Sequence, residues 1–140
     1  MKLCDRGWLT MRDQRGMSLS VFVAVAVLAL LLVAGLVVDG GAQALAARRA
    51  ELVASAAARA AADQTAAARL AGQRPVVAEA IAAAQEVLAD SGDVTGEVRL
   101  VGGRVQVATT SGVDTVFLSL IGINRLSGSG SAEADLVANR

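Results

Sequence analysis

The chain has 140 residues with 13 basic against 13 acidic side chains, so no global field draws it to nucleic acid, and at 2% aromatic content it offers no platform for stacking bases. It has no His and no Tyr, and Cys4 is its single cysteine, which excludes histidine triads, histidine metal ligands and an intramolecular disulfide. Carboxylate, lysine or lone-serine chemistry stays open, and no cofactor or metal is expected.

Residues 1–16 carry Lys2, Arg6, Arg12 and Arg15, whereas the first basic residues beyond the apolar stretch that follows are Arg48 and Arg49. The positive-inside bias therefore places the tail and Cys4 in the cytoplasm and the rest of the chain outside. Trp8 is either an interfacial anchor or, given its distance from the apolar stretch, simply a tail residue.

Leu19 to Val38 is twenty consecutive residues without a charge, and fourteen of them are Leu, Val or Phe. At about 1.5 Å of rise per residue a helix of that length covers the roughly 30 Å hydrocarbon core of a bilayer. At roughly −0.3 to −0.6 kcal/mol each, those side chains favour insertion by about −4 to −8 kcal/mol in all. Backbone groups in lipid must pair internally, so the segment is helical despite its β-branched valines. The rival is a cleaved secretory signal, with Ala42-Gln43-Ala44 or Ala44-Leu45-Ala46 as the site; the length of the apolar core argues for a retained anchor over residues 17–39. Asp39, the first charge past the span, is expected at the membrane boundary as a depth stop, with pairing across subunits as the alternative.

Ala42 to Ala71 lacks Gly and Pro and is rich in the best helix former, which predicts a long helix continuing out of the membrane. On a 3.6-residue period Ala46, Ala50, Val53, Ala54, Ala57, Ala61 and Ala68 share a smooth face, while Leu45, Leu52 and Leu70 lie among charges on the other side. Small residues let a neighbouring backbone approach closely, and the neighbour is either a second subunit or the chain's own domain. Gly72 ends this helix and Pro75 starts the next, predicted to about residue 89, with a core stripe at Val76, Val77, Ala80, Ile81, Ala84, Val87 and Leu88.

Gly102-Gly103 predicts a two-residue hairpin turn between strands at about 95–101 and 104–110, which sets Leu100 opposite Val105 and Val98 opposite Val107. Arg99 and Gln106 then share the polar face. Val113 to Ile123 reads as a short buried helix or a strand. Ser127 to Ser131 has a linker's composition, yet the alternation that follows it predicts a final strand over about 129–137. The acidic residues Asp90, Asp93 and Glu97 lack calcium-loop spacing and read as a solvated turn. The fold class is thus α+β: a single N-terminal transmembrane helix extended by a long Ala-rich helix, then a second helix and a small antiparallel sheet within an extracytoplasmic domain, 40–140.

Arg15-Gly16, the span ending GLVVDGG at Gly35 to Gly41, and AQALAARRAELVASAAARAAA at Ala42 to Ala62 resemble, as an ordered set, the amino-terminal region of TadE/TadG-like Flp pilus assembly proteins. The resemblance implies a minor-pilin-like, membrane-anchored component of a tight-adherence (Tad) pilus or secretion system. It implies partners in the bilayer and in other components of that apparatus, or self-association, and no enzymatic activity. It also marks Gly16 and Met17 as a possible processing position. Type IV prepilins carry Glu at the fifth mature position, which counted from Met17 is Val21, so the branch of the family that stays membrane-anchored fits better. The rival functions are a secreted adhesin-like domain released by signal cleavage and a membrane-tethered carboxylate enzyme.

Overall fold

The computed structural model describes residues 14–136, with side chains from Leu19 onward; the expectations for Cys4, Trp8 and Val137 lie outside the described residues. The fold is α+β. Helix α1 (Gln14–Leu70) is followed by α2 (Val77–Asp90), strands β1 (Val94–Val101) and β2 (Arg104–Asp114), a short 3-10 turn (Leu118–Ile121) and β3 (Arg125–Asp135). Two compact units meet within α1, one up to Ala34 and one from Gly35 onward.

In the first unit, the successive side chains Leu30, Leu31, Leu32 and Val33 are all exposed. Positions 100° apart on a helix cannot all be exposed unless the helix lacks a buried face, and an apolar helix of this kind is consistent with contact with a lipid bilayer. This helix is long and apolar enough to cross a membrane. Gly16 and Met17 are helical within α1.

In the second unit the sheet has the order β1-β2-β3 and is antiparallel throughout. Gly102 and Gly103 both have positive φ (59° and 82°), as the tight turn requires, and the register pairs Leu100 with Val105, Val98 with Val107 and Arg99 with Gln106. Because side chains alternate along a strand, one face takes Val105, Val107, Thr109 and Ser111 inward while the other carries ion pairs such as Arg104 to Asp135 at 2.7 Å.

The inward face is covered by the chain itself. Ala54, Ala57, Ala58 and Ala61 of α1 form one cluster with Ala80 and Ala84 of α2 and with Val105, Val107 and Leu136 of the sheet. The Ala face is therefore an internal seam, and of the two neighbours that the sequence leaves open it is the chain's own domain that covers it: Ala46, Ala50, Ala54, Ala57 and Ala61 are buried within this unit, where the alternative was a second subunit. Val53 and Ala68 are half-buried at its margin. On α2 the stripe holds at Ala80, Ile81, Ala84, Val87 and Leu88, but Val76 and Val77 are exposed because the helix begins at Val77 with Val76 as its cap. Leu at position 57 adds volume to a site with no free space, which costs about 1–3 kcal/mol. The expected result for Ala57→Leu is a lower unfolding midpoint of the full chain in detergent, with Arg59→Leu on the exposed side unchanged.

The chain's path after the hairpin turn fixes where β2 ends. β2 runs antiparallel to α1: Val105 and Val107 join the cluster around Ala57, the Thr109 hydroxyl donates to the Ala50 carbonyl at 2.8 Å, and Phe117 reaches Gly35. Fifteen residues of helix from Ala50 back to Gly35 rise about 22 Å, and the extended run from Thr109 to Asp114 covers about 17 Å of that before the chain bends toward Phe117, so the strand returns to the apolar end of the helix. β3 then retraces the path. Gly128 and Gly130 lie against the α1 backbone so closely that a Cβ would sit 2.1 Å from the Ala47 nitrogen and 2.3 Å from the Glu51 nitrogen, respectively. The serine-glycine segment is a strand, with glycine where a helix backbone crosses it, and the strand starts at Arg125, four residues before the expected 129.

Candidate functional site

The second unit has an apolar end. There, Leu36, Val37 and Val38 of α1 are exposed beside the β2–β3 connection, residues 115–124, which has no charged side chain. This stretch was expected to be a buried helix or a strand. It is a closed loop with a 3-10 turn whose large side chains point outward: Leu120 is 84% exposed and Ile121 70%.

The loop is held from within and from α1. At its base the Thr115 amide donates to the Asn124 carbonyl at 3.1 Å and the Thr115 hydroxyl donates to the Ile123 carbonyl. At its tip the Ile123 amide donates to Leu118 at 3.0 Å, and Gly122 adopts φ 89°, a conformation open to glycine without strain. Asp39 supplies the link to the helix: its Oδ1 accepts from the Val116 amide at 2.8 Å, and its Oδ2 accepts from Phe117 at 3.0 Å and Leu118 at 2.7 Å. These three N–H groups open the 3-10 turn and lack partners within it, so a carboxylate from another element takes the place of a local cap.

Asp39 is thus 1% exposed, and its oxygens serve backbone amides of its own chain rather than water or a second subunit. These intrachain contacts take the place of the pairing across subunits that was the alternative reading of Asp39. One turn earlier, Gly35 makes room for the loop: a Cβ there would lie 2.8 Å from the Phe117 Cβ. Gly35 and Asp39 are four residues apart, on one side of the helix, so GLVVDGG holds both a slot and a clamp for the same loop. Gly40 and Gly41 follow with nothing near their Cβ positions. Each weakens the helix by about 1 kcal/mol relative to Ala, and the loop braces this weak point by joining Asp39 on one side to the sheet that packs on Ala46 and Ala50 on the other. No sequence periodicity announces this arrangement; the available signal was a lone carboxylate four residues after a glycine in an apolar helix.

Of the acidic residues considered above, Asp93 and Glu97 are each paired with an arginine. Arg49 meets Asp93 at 2.8 Å, and Arg99 holds Glu97 through two contacts of 2.8 Å. The Arg99 hydrogen bond keeps the Glu97 carboxyl below its usual range, the wrong direction for a general acid near neutral pH. Among the described residues no group of three His, Cys, Asp or Glu is placed to hold a metal ion. Comparison with protein-family models, with curated proteins and with solved structures returned no match.

Proposed function

We propose that the chain is a non-enzymatic, membrane-anchored component of a Tad/Flp-type pilus or secretion apparatus, with its tail in the cytoplasm and its head outside. The observation that carries this reading is the single helix α1, whose apolar first half is long enough to span a bilayer and whose second half is the spine of the head's core. The residues behind the resemblance, Gly35, Asp39 and the alanines that follow, are those that join helix to head, which supports a pilin-like use of the architecture. With the Ala seam occupied internally, contacts with other components fall to the outer faces of the head.

The test is removal of the protein from cells that assemble a Tad pilus, followed by restoration with the chain itself or with a form carrying Glu51→Gln and Glu97→Gln. The expected result is loss of surface pili on removal and recovery with both forms. Normal piliation without the protein would exclude the structural role, and recovery that depends on the two carboxylates would favour an enzyme.

A further inference from the structure

We propose that the loop 115–124 is a second membrane contact, whose apolar tip at Leu120 and Ile121 enters the leaflet of the bilayer on the head's side. The inference rests on the reading of Leu19 to Val38 as a retained span and adds to it a foothold for the head.

Three observations converge on lipid as the occupant. The loop is fixed to the helix at two heights, Asp39 just past the last apolar residue and Gly35 four residues earlier. Four residues of helix rise about 6 Å, so the Phe117 side chain, seated at Gly35, lies that far inside the boundary marked by Asp39, within the roughly 5–10 Å depth at which interfacial elements settle. The loop is also uncharged from Thr115 to Asn124, with Asp114 and Arg125 as the first charges at its base. The tip exposes Leu120 and Ile121 on a loop seated at Gly35 and Asp39, and Leu36 and Val37 between those two positions are exposed as well. Finally, the loop holds its shape through its own hydrogen bonds and through Asp39, so no ordering cost is left for insertion to meet. The burial of Asp39 follows from the same geometry: a carboxylate at the edge of the hydrocarbon needs protein donors, and the loop delivers three.

The test uses the full chain with Cys4→Ser, reconstituted in vesicles of phosphatidylcholine and phosphatidylglycerol. Single cysteines are placed by Leu120→Cys, by Leu28→Cys in the span and by Thr110→Cys on the polar sheet face, each carrying a fluorophore that dims near nitroxide-bearing lipids. The high exposure of Leu120 makes its replacement harmless to folding. Strong quenching is expected at Leu28 and Leu120, with shallow nitroxides more effective at Leu120, and none at Thr110. Quenching at Leu28 with Leu120 as bright as Thr110 would overturn the loop contact while leaving the span intact. No quenching at Leu28 would remove the span and the inference together. A water-shielded label at Leu120 that no lipid quenches, and whose shielding is lost on dilution into excess vesicles, would identify a second protein copy as the occupant and overturn the proposal.

Discussion

Alanine at Gly128 is expected to break the head apart from its spine. The added Cβ would stand 2.1 Å from the Ala47 nitrogen and 2.5 Å from its Cα, both backbone atoms of a helix that cannot rotate out of the way. Carbon atoms settle at about 3.5–4.0 Å, so strand and helix must separate by more than about 1 Å. That separation stretches the Thr109 hydroxyl bond to Ala50, now 2.8 Å, and opens the alanine seam on both sides of it. Overpacking typically costs about 1–3 kcal/mol, and a backbone-on-backbone clash belongs at or above the upper end. A domain this small has about 5 kcal/mol in hand, so much of its stability goes. The measurement is thermal unfolding and protease resistance of the full chain in detergent. Gly40→Ala is the control of opposite sign: nothing lies near its Cβ position, the residue is mid-helix, and the same substitution should stabilise by about 0.5–1 kcal/mol. Equal melting of Gly128→Ala and the parent chain would mean that β3 does not cross the helix at this point.

Asp39→Ala should release the loop 115–124 and leave the core folded. Its three amide partners then have no acceptor, and the nearest remedy is for the turn to swing out to water, carrying Leu120 and Ile121 with it. Amide exchange at Val116, Phe117 and Leu118 is expected to accelerate by roughly tenfold to a hundredfold, with the amides of β2 around Val105 and Val107 unchanged. The effect should spread to Gly40 and Gly41, because the brace across the glycine pair is lost. Asp39→Asn should fall between. Its single carbonyl oxygen can keep two of the three donors at most, and its amide group then points hydrogens at the rest. Unaltered exchange at residues 116–118 in Asp39→Ala would show that the loop is held by its internal bonds alone.

Local signals carried several elements directly. The long apolar helix is legible because twenty uncharged, mostly apolar residues run without a break, and the β1–β2 register is legible because two glycines at positive φ fix the turn and alternation fixes the faces. The second helix was readable for the same reason at Ala80, Ile81 and Ala84, though not at Val76 and Val77, where the pattern ran past the helix start. What the sequence by itself determined was that two features must meet something: a stripe of alanines and a carboxylate at the end of an apolar helix. Each of these states that a backbone or a donor comes close, and neither of them says whose. Only the tertiary structure decided that the alanines meet β2 and α2 of the same chain, that Gly128 and Gly130 sit under α1, and that Asp39 caps a turn 77 residues away. The physical reason is that small or lone polar residues encode proximity without identity, whereas large apolar side chains and turn glycines encode their own geometry.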